Sequence, residues 1–274
     1  MTIQSKRPIP KFSDPPVTET VLGVEFEPLE KWGIPYFGLF WERIRTQFPK
    51  FAVRPPLDSQ IEQFDKPKLA TGPQFQILAE PEVRCWFIAS DDRTLVQVQG
   101  SRFTYNWRKT RVADAYPHFD DSVRPAFVRV WDAFADFVQQ QNLGQVNAIQ
   151  CEVTYINHLE IGKGWKSAAD LSRVFPFWSG KMNGEFLPEA EGVAFDVAFR
   201  MPDQKGRLRV SLKPAIRTED GTEVLQLTLT ARGRPSGNDS GSVMAWLDLG
   251  REWVVRGFAD FTSPQMHSLW HRLV

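Results

Sequence analysis

The sequence predicts an α+β fold: an internal duplication of a strand–helix–antiparallel meander–helix unit within a 274-residue chain. Three observations lead there. Val146–Ile161 (VNAIQCEVTYINHLEI) alternates Ile149, Cys151, Val153 and Tyr155 with Gln150, Glu152 and Thr154, the period-2 pattern of a half-buried strand. Near the start, Glu19–Leu29 (ETVLGVEFEPL) reads as its counterpart, because Val24-Glu25-Phe26 has the same apolar–polar–aromatic order as Val153-Thr154-Tyr155. Each of these strands is followed by a helical pattern, a run of hairpin-joined strands and a longer amphipathic helix.

In the first half, residues 1–16 are polar and proline-bearing and read as an extended arm ending in Pro15-Pro16. The strand Thr20–Glu27 stops at Pro28. A helix over Pro35–Phe48 follows, with Phe37, Phe40, Trp41, Ile44 and Phe48 at three- and four-residue steps and Pro35 in its first turn. Phe51–Gly72 reads as irregular, interrupted by Pro55-Pro56 and Pro67. The meander is expected as Phe75–Ala79, Val83–Ala89, Thr94–Gln99 and Arg102–Trp107, joined by short polar turns at Ser90–Arg93 and Gly100-Ser101. A helix over Ser122–Gln141 closes the half. Its stripe is Phe127, Val130, Trp131, Phe134 and Val138, with Asp121 or Ser122 as N-cap and Gly144 as the stop.

The second half repeats that order. Its strand is followed by a short helix over Ser167–Trp178, where Ser167 and Asp170 have capping-box spacing. Three strands come next, carrying Val193, Phe195, Val197, Phe199 and Met201, then Leu208, Val210 and Leu212, then Leu225, Leu227 and Leu229 on their inward faces. The Gly233–Ser242 loop leads to a helix over Val243–Phe261 with Val243, Trp246, Leu247, Val254, Phe258 and Phe261 buried, and 265–274 is a short tail. The halves are thus 17–143 and 146–264, expected to form one unit. Hairpin-joined strands argue for antiparallel sheets. Two such halves either fuse edge to edge into one curved sheet with helices on one face, as in TATA-binding protein, or form separate sheets packed through their helices. The fused sheet is preferred.

Composition excludes several classes. Thirty-three basic and thirty-three acidic residues cancel, which argues against a strongly basic nucleic-acid binder at the level of the whole chain. Ten Trp and twenty-one Phe supply a large core. The N-terminal residues lack the apolar segment of a secretory signal, and no apolar run approaches a membrane span, so a soluble cytoplasmic protein with no membrane partner is expected. Cys85 and Cys151 have no CxxC spacing and read as free buried thiols.

No GxSxG, GxxxxGK[ST] or GxGxxG occurs, and no cofactor is expected. Among His118, His158, His267 and His271 no HExxH motif appears; His267 and His271, four residues apart near the chain end with Trp270 between them, read as a surface cap, and no metal is expected. Glu152 and His158 are the candidate catalytic residues, a carboxylate base on the polar sheet face and an imidazole near the strand end, set against the plainer reading of a solvated face. Asn157 and His158, at the strand end, read equally as turn caps. Arg207, Arg209 and Lys213 share one side of a strand, opposite Leu208, Val210 and Leu212, and form the candidate nucleic-acid-binding face. The leading functional expectation is a non-enzymatic binding or interaction module with a protein partner. Nucleic-acid binding through the basic face and an enzyme site between the halves are the alternatives.

Three stretches, PPVTETVLGVEFEPL, CEVTYINHL and FADFTSPQMHSLW, together resemble a sporadically distributed bacterial family of about this length without an assigned activity. The resemblance spans nearly the whole chain and implies a bacterial, cytoplasmic protein. Patchy distribution implies accessory genes such as mobile-element or defence cassettes. It assigns no catalytic residue.

Overall fold

Strands β1 (Val17–Phe26) and β6 (Ala148–Glu160) lie side by side and join the two halves of the chain. The computed structural model describes residues 7–64, 82–180, 186–218 and 220–274. The first half adds β2 (Lys50–Arg54), β3 (Arg84–Ile88), β4 (Thr94–Gln99) and β5 (Arg102–Arg108). The second adds β7 (Phe195–Arg200), β8 (Arg207–Ile216) and β9 (Glu223–Gly233). Among the described residues all belong to one antiparallel sheet of nine strands in the order β2-β3-β4-β5-β1-β6-β9-β8-β7. The fused sheet is therefore the one formed. Counting outward from the β1–β6 seam, β5, β4 and β3 occupy the positions on one side that β9, β8 and β7 occupy on the other.

The seam is held in register by its buried side. Leu22 faces Val153 and Val24 faces Cys151, all four fully buried. A slip by one residue would send this whole set to the polar face. Glu25 and Thr154 point to the opposite face from Val24, Phe26, Val153 and Tyr155, as the alternation requires.

Helices from both halves pack on the apolar face. In the first half, α1 (Ile34–Ile44) and α2 (Arg124–Gln140) bring Phe40, Trp131 and Phe134 onto Phe26, Phe87 and Phe103. The Phe103–Phe134 centroids are 5.0 Å apart and the Phe26–Phe134 centroids 5.7 Å, distances at which tilted aromatic pairs add to area burial. In the second half, α4 (Ser240–Phe261), capped by the Asp239 carboxylate on Ser242 N–H, lies over β6, β8 and β9. It comes close because two of its positions lack side chains. A Cβ at Gly250 would stand 3.0 Å from Val153 Cγ2, and one at Gly257 would stand 2.6 Å from Leu208 Cδ2.

Several sequence expectations need correction. Phe51–Arg54, read as irregular, belongs to the edge strand β2, whose outer positions leave Phe51 61 % and Val53 54 % exposed. The alternation Lys50/Ala52/Arg54 against Phe51/Val53 is present, but flanking prolines obscure so short a strand. The helix expected over Ser167–Trp178 is one 3₁₀ turn, Ala168–Asp170, followed by α3 (Leu171–Val174). Ser167 makes no side-chain cap there; instead the Asp170 carboxylate accepts from Lys166 N–H. Neither Asp121 nor Ser122 caps α2, which emerges from a π-helical turn at Phe119–Val123. The expected strand Phe75–Ala79 lies outside the described residues.

The arm and the tail meet. Phe12 bridges to Arg272, Leu273 N–H donates to the Lys11 carbonyl at 2.8 Å, and the buried Phe12 ring packs on Phe258, His267 and Trp270. His267, on α5 (Pro264–Leu269), is part of this buried contact, so its expected place in a surface cap is corrected; His271 alone is exposed.

Candidate functional site

The sheet face turned away from the helices carries the residues that the sequence singled out. Glu152 is there, as the alternation requires, and its carboxylate takes Arg232 Nε–H at 2.5 Å and the Thr154 hydroxyl at 3.0 Å. His158 shares the face but stands six residues further along the same strand, about 20 Å away at strand rise. The two candidate catalytic residues are therefore not brought together. Arg207 and Arg209 also lie on this face, opposite the buried Leu208, Val210 and Leu212. Both reach one carboxylate, that of Glu62: Arg209 holds it through two hydrogen bonds of 2.7 and 2.9 Å, and Arg207 pairs with the same group. Burial pushes the Glu62 carboxyl up, and Arg209 and Arg207 more than offset this, holding it below the ordinary carboxylate range. Lys213, farther along β8, is exposed.

Glu62 belongs to a segment that crosses this face. Leu57 exchanges two hydrogen bonds with the Gln99 side chain, the Gln60 carbonyl accepts from Gln150, and Glu62 N–H donates to Gln150. The polar side chains beneath answer its backbone groups one by one, which is what buried amide groups require.

A different arrangement occupies the helix side. A cavity of about 250 Å³ lies where the arm, the β1–β6 seam, the loop before α2 and the middle of α4 converge. Its walls are apolar: Phe12 and Val17, Phe119, Leu229, and Val254, Val255 and Phe258. Polar residues also line it, Tyr116, Tyr155, Asn157 and Arg251 together with Lys11, His118, Asp120 and Asp121. The Tyr116 and Tyr155 hydroxyls are 2.7 Å apart, Asn157 donates to the Leu227 carbonyl at 3.0 Å, and Arg251 enters from α4. The Arg251 guanidinium sits 5.4 Å from the Phe119 ring centre and 3.6 Å from Asp120, and its Nε is buried with no hydrogen-bond partner among the described residues.

The backbone beside the cavity is strained. His118 has φ 62° and ψ 151°, a region that side chains with a Cβ rarely adopt. Its carbonyl accepts from Val123 N–H five residues on, closing the π-helical turn. Across the cavity a register shift between Val17 and Glu19 disturbs the β1–β6 ladder next to Asn157. Strain, a π turn and a bulge converge on one place.

Burial pushes both tyrosines above their ordinary value. For Tyr116 the neighbouring Tyr155 adds to the effect, whereas Tyr155 is partly relieved by Tyr116 and by the Arg251 guanidinium. Both hydroxyls stay protonated at neutral pH and act as hydrogen-bonding groups. The thiols of Cys85 and Cys151 are also pushed up by burial, which leaves them unreactive. Among the described residues no three His, Cys, Asp or Glu side chains gather as a metal site. No described helix is long and apolar enough to cross a membrane.

Asn157 faces the cavity and is not a turn cap. The sequence carried a signal for it: a polar side chain in the buried phase of Cys151, Val153, Tyr155 and Leu159. Arg251 likewise sits in the apolar stripe of α4 between Leu247 and Val254. Tyr116 and His118 precede α2 in a loop with no periodicity, and only the fold brings them here. No protein-family model and no curated protein matches this chain.

Proposed function

We propose that this protein is a non-enzymatic binding module for a small, mainly apolar molecule with a hydrogen-bond-accepting head group such as a carboxylate. The observation that carries this reading is the cavity between the halves, largely apolar in its walls, with Tyr116, Tyr155, Asn157 and Arg251 among the polar groups that line it. The unpartnered Arg251 Nε and the paired tyrosine hydroxyls give a head group something to bind. Binding is favoured over catalysis because the hydroxyls are protonated and Glu152 and His158 lie on the other side of the sheet. The protein-partner reading has no comparable built feature, and the nucleic-acid reading at Arg207 and Arg209 is weakened by their shared carboxylate.

The test is thermal unfolding with octanoate and with benzoate, in the native chain and in a Val255→Trp variant that fills the cavity. At a hundredfold excess over the dissociation constant a ligand stabilises by about 2.7 kcal/mol. The expected result is a rise in Tm that Val255→Trp abolishes. A rise that survives the filling, or no rise with either probe, rejects the reading.

A further inference from the structure

The arginines on the polar sheet face are treated unequally. Arg102 pairs with Glu25 at 2.7 Å, Arg232 with Glu152, and Arg207 and Arg209 with Glu62. At the outer end of the first half the pattern stops. Arg54 and Arg84, register partners on β2 and β3, have no carboxylate partner among the described residues. Among the described residues Arg54 donates to the Val53 carbonyl, and Arg84 to the Gln97 side chain at 2.9 Å. The nearby Asp92 carboxylate is taken by Lys50 at 3.0 Å.

Both guanidiniums surround Trp86, with Arg54 4.9 Å and Arg84 5.5 Å from its ring centre. A third, Arg108, stands at 5.9 Å; its Nε donates to the Asp92 carbonyl, and its charge also acts on the half-buried Glu19 carboxyl. Two donors in this cluster, Arg84 Nε and Trp86 Nε1, are shut off from solvent with no hydrogen-bond partner among the described residues. A buried donor without a partner costs about 1–3 kcal/mol, so two side by side among like charges mark a place that an anion would complete. Burial, then Arg102 and Arg54, push the Arg84 guanidinium below its ordinary value, which agrees with positive charge left uncompensated.

We propose that Arg54, Arg84 and Trp86 form a binding site for a phosphate group, with guanidinium forks and the indole N–H as donors. Planar guanidinium groups match phosphate oxygens in pairs. The site lies across the sheet from the cavity and does not depend on it. The same chemistry is offered by a free phosphorylated molecule and by a nucleic-acid backbone.

The experiment follows the Trp86 indole N–H by ¹H–¹⁵N NMR, its signal assigned with Trp86→Phe, while inorganic pyrophosphate or a short oligothymidylate is added. The expected result is a downfield shift of that signal with at least one probe. Arg54→Gln and Arg84→Gln should each weaken binding about tenfold or more, the usual effect of losing a charge-assisted hydrogen bond. Arg54 is exposed, so its variant keeps the test valid should Arg84→Gln fold poorly. Arg173→Gln, exposed on α3 in the other half of the chain, should leave the titration unchanged. Tight, salt-sensitive binding of oligothymidylate identifies a nucleic-acid backbone as the source, and binding of pyrophosphate alone identifies a free phosphate. No shift with either probe, or a shift that survives both substitutions, overturns the proposal.

Discussion

His267 illustrates how a single side chain couples the chain ends to pH. Its Nε2 lies 2.9 Å from the Thr262 hydroxyl and its Nδ1 3.1 Å from the Arg272 guanidinium. Thr262 spends its own proton on the Phe258 carbonyl, so it accepts from Nε2–H, and Nδ1 accepts from Arg272. That pattern needs a neutral ring. Burial, and then Arg272, push His267 below its ordinary value of 6.5. Below 6.5 the unfolded chain takes up a proton that the folded chain refuses, so stability falls as pH drops from 6.5 to the depressed value. His267→Gln should flatten that part of a Tm-against-pH curve, and a curve identical to the wild type would contradict the neutral-ring assignment. The sequence placed this residue at the surface because spacing alone says nothing about Phe12, which arrives from the other end of the chain.

Among the elements, β6 was the most legible and the best placed to be so. Its alternation reports burial directly, and Val153 is fully buried beneath α4. Val153→Ala should cost about 1–3 kcal/mol through lost methyl burial and a residual cavity, read as a lower denaturation midpoint with an unchanged slope. An unaltered midpoint would refute the close packing around Gly250. The amphipathic helices α1, α2 and α4 were legible for the same reason, since each has one apolar stripe. What escaped were elements defined by what surrounds them. The edge strand β2 is too short to show its period, and α3 is set by the loop that holds it. The candidate cavity is assembled from six separate segments, of which Asn157 and Arg251 alone break a local pattern.

At the scale of the whole molecule the β1–β6 seam is decisive, because it makes one sheet from two halves. Counted outward from the seam, the strand order is β5-β4-β3 on one side and β9-β8-β7 on the other. The seam also sets the order in which the protein can be completed during synthesis. Until β6 leaves the ribosome, β1 is paired on one side only, with β5, and offers its other edge to solvent. A free, largely apolar edge is a template for pairing with another chain. A chain ending after Leu143 should therefore self-associate, as light scattering would detect, and a monodisperse folded monomer would count against the idea. In the complete protein each half silences the hazard of the other. The same contact that builds the sheet acts as an internal chaperone, and the growing chain is vulnerable for the time needed to translate from β5 to β6.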